Sequence, residues 1–486
     1  MDKADRLRPQ SPFFSFSSFI RSVCLIFFLL LAACQAGTPG RSAGLTEARP
    51  PRGDEALLSL FLHLVNPEPL GLWMELAAVE LVGDERVVPL STEAVQLAGG
   101  EIMGGQRFLA RAAVPAGRYT SLRVTVNRAG RVRQNDKVFL SVPEAVLDLP
   151  LPGDFRLEAG ESRSLFLAWD EEASVRERAF FAPVLKALPA QLPLLADLAY
   201  VSCPDIDTVY LLRTDNNRVS GSLAISGRPT RLAYDRERGR LYVLAAAGAA
   251  IHVVDAASNR VLDRFSIPMT ANPSFLLMSP DGRWGYVLDE EGDHLLRMDL
   301  IQGVLDKRVR LGYKPRFLIR LEGSGQLAIS SGLSQEVYLL DPETLVTRQV
   351  LSVGNGPDGL LATEEHLYVA ESAANTVAIF ALRSGQFNKR VNTGLMPRRL
   401  VQSDNRIYVS NHRDGTVSLL TSREPRVLRE IPVGGAPLEM AVSARSKWVY
   451  VAEQTTGSLA VIDQTVNRVV GRVELGVRPW HVLVAQ

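Results

Sequence analysis

Arginine, lysine and histidine recur in this 486-residue chain beside a proline that itself recurs. Arg228 and Arg231 flank Pro229, Lys314 and Arg316 flank Pro315, Arg398 and Arg399 follow Pro397, and Arg478 and His481 flank Pro479. Cations presented from several elements at one mouth would focus a field on an anion: a carboxylate, a phosphate or an acidic partner. The same segments carry Asp205, Asp207, Asp289, Glu290, Glu291, Asp293, Glu371, Asp414 and Glu453, so a rim of solvated, mutually neutralised charges is the other reading of these residues. Acid–base catalysis would need a group that takes and returns a proton, and Glu371, His412 and Glu453 are the residues for it. His294, His412 and His481 are the histidines that could meet near one face, whereas His252 and His366 fall within predicted strands. No C-x-x-C-H, G-x-S-x-G, Walker loop or G-x-G-x-x-G after a strand is present, which leaves covalent haem, hydrolase-elbow and phosphate-loop chemistry without support. No metal and no cofactor is expected.

The elements that would carry these residues repeat. The prolines at 229, 273, 315, 357, 397, 437 and 479 are spaced by 44, 42, 42, 40, 40 and 42 residues. Each follows a turn and opens an apolar segment. A strand ending in Tyr-Val comes next in most units: LYV at 241–243, GYV at 285–287, LYV at 367–369, IYV at 407–409 and VYV at 449–451. The first unit has AYV at 199–201, and the fourth departs to LAI at 327–329. A further strand follows, several of which end in Asp255, Asp299, Asp341 or Asp463, placed to cap a tight turn. Four strands per period of about 42 residues is the blade of a β-propeller. The region begins with a Tyr-Val strand and ends with a Pro-opened one, so the last strand is expected to complete the first blade and close the ring. These repeats resemble the YVTN family of bacterial propellers over essentially all of 198–486.

Residues 55–190 read as a β-sandwich. Short strands are expected at Leu57–Val65, Met74–Leu81, Phe108–Val114, Ser121–Val126 and Ser164–Trp169, separated by Gly, Pro, Asn and Asp. Pro115-Ala116-Gly117 sets a turn, and the Tyr119 hydroxyl is placed to pin the corner. PAGRYTSLRV and FRLEAGESRSLFLAWD resemble the small sandwich domains that follow lipoprotein signals in bacterial surface proteins. Asp170, Glu171 and Glu172 lack the spaced carboxylates of a calcium loop and read as a turn.

Ser22 to Ala33 is an apolar run preceded by Arg21, too short for a spanning helix, which takes about 20 residues, and of the length of a signal-peptide core. It ends in Leu31-Ala32-Ala33-Cys34, which resembles the bacterial lipobox. The resemblance implies cleavage before Cys34, lipid on its thiol, and, with Gln35 next, sorting to the outer membrane. The expected organisation is therefore a signal at 1–33, a lipidated tether at 34–54, the sandwich at 55–190 and a seven-bladed propeller at 195–486. Cys203 would be left as the one unmodified cysteine.

Lysine plus arginine total 54 against 53 acids, and 46% of residues are hydrophobic. The chain is globular in composition and carries no bulk electrostatic footprint for nucleic acid, which is not an expected partner. The expected function is a lipid-anchored binding protein or scaffold of the bacterial cell envelope, its propeller face taking a protein, glycan or anionic ligand. The alternative is a propeller enzyme, lactonase-like or associated with a dehydrogenase.

Overall fold

A computed structural model describes residues 49–485, apart from 67–69, 85, 92, 103–105, 134–135, 178 and 191–197. Cys34 and the expected signal at 1–33 lie outside the described residues. The chain is all-β: a sandwich precedes seven four-stranded sheets arranged as a propeller, within one compact unit, Leu45–Gln486.

One sandwich sheet has the order Val184–Leu188, Ser162–Asp170, Glu55–Leu64, Arg107–Pro115. The other is built on the long pair Leu72–Gly83 and Gly117–Arg133, flanked by Val87–Ser91, Val95–Ala98, Asp136–Leu140 and Val146–Leu157. Tyr119 donates its hydroxyl hydrogen to the Pro115 carbonyl at 2.7 Å, the corner its position foretold. The acidic turn serves backbone amides: Asp170 accepts from Ala173 N, and buried Glu171 accepts from Leu70 N and Leu72 N.

Glu55–Leu64 explains why that strand is apolar on both faces. Ala56, Leu58, Leu60, Leu62 and Leu64 point into the sandwich core, while Leu57 and Phe61 point the other way and pack with Tyr210, Val219 and Val473 of the propeller. Successive side chains alternate sides, so one strand serves two cores.

In the propeller, blade 1 combines Leu198–Cys203, Thr208–Arg213 and Arg218–Ala224 with the chain's last strand, His481–Val484, as the inner strand. Blades 2 to 7 begin at Pro229, Pro273, Pro315, Pro357, Pro397 and Pro437, each running from inner to outer strand in chain order. The seven inner strands touch neighbour to neighbour in a closed circle. The second strand of each blade is buried on both faces because each face meets a different blade. Tyr200 packs toward blade 2, whereas Ala199 and Val201 pack toward blade 7.

The recurrent tyrosine has a further task. Its hydroxyl reaches the next blade: Tyr286 to Pro342 O, Tyr368 to Ser422 O, Tyr408 to Asn467 Oδ1 and Tyr450 to Asn217 Oδ1, at 2.6–3.2 Å. The last of these crosses the seam where the ring closes. The turn aspartates act as expected, Asp255, Asp299, Asp341 and Asp463 each accepting from backbone amides two or three residues ahead.

The sandwich sits over that same seam, against the outer strands of blades 1 and 7. Buried Arg111 organises the contact. It donates to Ser59 Oγ (3.1 Å), Tyr210 Oη (2.7 Å), Leu475 O (2.5 Å) and Gly476 O (3.1 Å). Gln106 exchanges two hydrogen bonds with the Val219 backbone, and Arg107 pairs with Glu474 at 2.9 Å. Gly476 has a φ of +64°, and a Cβ there would lie 2.3 Å from the Phe108 ring, so the close approach needs glycine. Cys203 is buried beside this contact, where burial pushes its thiol up to about 12 and leaves it unreactive at neutral pH. Replacing Arg111 by Ala leaves the Leu475 and Gly476 carbonyls without this donor inside the interface and Ser59 and Tyr210 bonded only to each other. We expect a loss of about 2–4 kcal/mol, read as a lower urea midpoint, against about 1 kcal/mol for Tyr119→Phe.

Candidate functional site

Proline opens each inner strand of blades 2–7, and the pairing register shifts just after it in every one. Such a bulge re-aims side chains, here those of the two residues that follow the proline. The third residue is then aliphatic in all seven units and belongs to an inter-blade core: Leu232, Leu276, Leu318, Leu360, Leu400, Met440 and Val482. Polar chemistry is therefore confined to two rungs at the mouth of the central channel. The first holds Arg316, Asp358, Arg398 and Trp480 among others, and the second holds Arg231, Phe275, Phe317, Gly359, Arg399, Glu439 and His481. Serines of the neighbouring blades fix the rungs from behind, Ser330 donating to Asp358 O and Ser410 to Leu438 O.

A buried ion network occupies the second rung. Arg399 of blade 6 reaches in both directions, to Asp358 of blade 5 and, at 2.5 Å, to Glu439 of blade 7. Arg231 of blade 2 meets the same Glu439 carboxylate at 2.9 Å. Asp358 is 0% exposed and Arg231 3%. Aromatic faces back the cations: Arg231 lies 4.0 Å from the Phe275 ring centroid and Arg399 4.7 Å from that of Phe317. Gly359 permits the approach of blades 5 and 6, since a Cβ there would fall 2.3 Å from the Arg398 carbonyl. Burial alone would raise the Glu439 carboxyl, but Arg231 and Arg399 outweigh it and hold it down to about 2. Burial lowers Arg231 to about 10, still charged at neutral pH. Arg399 is raised instead, because Asp358 and Glu439 together exceed its desolvation.

The eight residues picked from sequence thus divide by depth. Arg231 and Arg399 are locked in the network, and His481 stands beside them with a buried Nδ1 that has no hydrogen-bond partner among the described residues. Arg398 and Arg316 are partly exposed. Arg398 Nε lies 2.7 Å from Asp358 Oδ2, and Arg316 touches Asp358 and Glu290 only at 3.9 Å. Arg228 and Arg478 are outer-rim residues sharing Asp205, at 3.8 and 2.8 Å. Lys314 is exposed in a left-handed turn whose amide donates to Asp293. Asp358 and Glu439 were not among the acids singled out in the sequence. Their signal was available, for they follow Pro357 and Pro437 at the offsets the arginines hold after Pro229, Pro315 and Pro397.

Glu371, His412 and Glu453 do not form a catalytic group. Glu371 is fully buried, accepting from Gly354 N and Thr376 Oγ1 and pairing with Arg390 at 2.8 Å. Glu453 has the equivalent place in blade 7, with Thr456, Ser458 and Arg472. His412 Nδ1 faces the Pro437 carbonyl. The two glutamates tie the loop and outer strand of their own blades.

Between the rungs and solvent lies a recess of about 150 Å³, lined by Arg231, Ser274, Glu290, Arg316, Asp358, Arg398, Arg399 and Trp480. Most of its arginines and acids pair with one another across blades, so it presents a fixed charged lining.

Neither a protein-family model nor a curated protein matches the chain. Solved structures do. A functionally unknown protein from Desulfotomaculum acetoxidans aligns over 59% of this chain and 98% of its own, at 13% identity and a TM-score of 0.53. The dihydro-heme d1 dehydrogenase NirN aligns over 59% of this chain and 66% of its own, at 16% identity and a TM-score of 0.48. Virginiamycin B lyase from Staphylococcus aureus aligns over 52% of this chain and 87% of its own, at 12% identity and a TM-score of 0.46. At 13% identity the likeness to the Desulfotomaculum protein is one of fold alone.

Burial, and next Arg231, depress His481 to about 3 in the folded chain. An unfolded histidine titrates near 6.5, so between these values the unfolded state binds the extra proton. Stability from this residue is full above about pH 6.5 and is lost as pH falls toward 3. Replacing His481 by Gln is expected to remove up to one proton from the pH dependence of unfolding in that window, about 1.4 kcal/mol per pH unit, measured by denaturant melts across pH.

Proposed function

We propose that this is a lipid-anchored binding protein of a bacterial cell envelope, a propeller of the YVTN kind whose channel mouth receives an anionic group of a protein or glycan ligand. The observation that carries the reading is the recess itself. Guanidinium groups from blades 2, 4 and 6 converge there, and Arg316 and Arg398 keep surface toward it. Their charges are fixed by buried partners before any ligand arrives, so little ordering is left to oppose binding. Catalysis finds less support, because the glutamates on which an acid–base mechanism would rest are spent on backbone amides and blade arginines.

The anchor rests on Arg21, the apolar run from Ser22 to Ala33 and Leu31-Ala32-Ala33-Cys34. Gln35 after the cysteine supports the outer membrane as destination. The residues from Gln35 to Asp54, rich in Gly, Pro and Ala, would hold the folded part off the bilayer.

Two experiments test the two halves. Cells fed labelled palmitate should label the wild-type chain and not Cys34→Ser, which should leave the membrane fraction; labelling of the variant would refute the anchor. For the mouth, Arg316 is the side chain to change, since removing Arg399 would leave Asp358 and Glu439 short of a partner inside the protein. Capture of a ligand from envelope extract by the wild-type chain should fall by at least about tenfold with Arg316→Glu. Undiminished capture by the variant would place binding elsewhere.

A further inference from the structure

The recess says more about its ligand than the sign of its charge. Its four guanidiniums, of Arg231, Arg316, Arg398 and Arg399, stand against three carboxylates, of Asp358, Glu439 and Glu290. One positive charge is left over, which suits a monoanion. A phosphate dianion would meet Asp358 and Glu290 in the lining and be repelled by both. Those carboxylates instead call for a ligand that also donates hydrogen bonds. Glu290, 31% exposed in the lining, is placed to accept from such a ligand, whereas Asp358 lies beneath it in ion pairs with Arg398 and Arg399. The third feature is Trp480, whose indole is 38% exposed where it lines the mouth. An exposed indole offers a flat apolar face that fits the C–H face of a pyranose ring. Carboxylate, hydroxyls and a flat apolar face occur together in a sugar acid, and the volume accommodates a small ligand.

We propose that the channel mouth binds a uronic-acid unit of an acidic glycan. Arg316 and Arg398 hold the sugar carboxylate, Glu290 accepts from a ring hydroxyl, and Trp480 stacks on the ring. This rests on the anion-binding reading above and narrows it to one class.

The full lipidated chain in detergent micelles would be titrated with galacturonate and glucuronate oligomers, the matched neutral galactose and glucose oligomers, and inorganic phosphate. Calorimetry and indole fluorescence would be the readouts. A uronate series should bind, its neutral counterpart at least about tenfold more weakly. Trp480→Ala and Arg316→Gln should each weaken uronate binding about tenfold with unchanged melting temperatures. Equal binding of neutral oligomers, equal or tighter binding of phosphate, no binding of either uronate series, or wild-type affinity in both variants would overturn the proposal. Arg316-dependent capture from envelope extract without uronate binding would sink the sugar acid and keep the anion site. Loss of both would sink the two readings together.

Discussion

Everything at the channel mouth depends on one pairing between strands nearly three hundred residues apart. Ala199–Ser202 accepts His481–Val484 as its inner neighbour, and the ring has no free inner edge once that ladder forms. The backbone amide of Trp480 donates to Ser202 O, and Ser202 Oγ in turn accepts from His481 N, so the pairing itself places both side chains at the mouth. Without it blade 1 would lack its inner strand, Glu439 and Arg231 would have no fixed separation, and their 2.9 Å contact across blade 1 would not form. Long-range closure of this sort is slow and entropically costly. The chain supports it twice more: Tyr450 bonds Asn217 across the seam, and the sandwich covers the outer strands of the same two blades with Arg111 and Phe61. The amino-terminal sandwich therefore acts as a clasp across the seam where the ring closes.

Much of the architecture was legible because it is periodic. A proline cannot donate to a ladder, so its recurrence marks the first residue of each inner strand. The apolar run after it, and the Tyr-Val strand beyond, could only be buried by stacking units around an axis. The turn aspartates and Tyr119 were readable for a related reason: each acts on backbone within a few residues of itself. What could not be read was everything that joins residues far apart in sequence. The alternation in Glu55–Leu64 shows two apolar faces but does not say that the second belongs to blades 1 and 7. Arg111 looks like a solvated strand residue until Leu475 and Gly476 arrive beneath it. Arg231 and Arg399 are legible beside the prolines as cations of the mouth, but not as buried ones. Their burial depends on Asp358 and Glu439, which take the same offsets in other blades.

That last point turns on energetics. Two arginines and two acids taken from water lose several kcal/mol of hydration each, and their mutual attraction does little more than restore it. An apolar plug would fill the same space at no smaller stability. The sequence does use such a plug one residue deeper, where all seven units present an aliphatic side chain. Charge at the upper two rungs is thus not required by the fold. It is confined to the two rungs nearest the mouth, where Arg316 and Arg398 keep some surface, and its members are set at separations that side-chain entropy cannot easily undo. Aromatic faces at Phe275 and Phe317, the serines behind the rungs and Gly359 all serve that fixed arrangement rather than the ring as such.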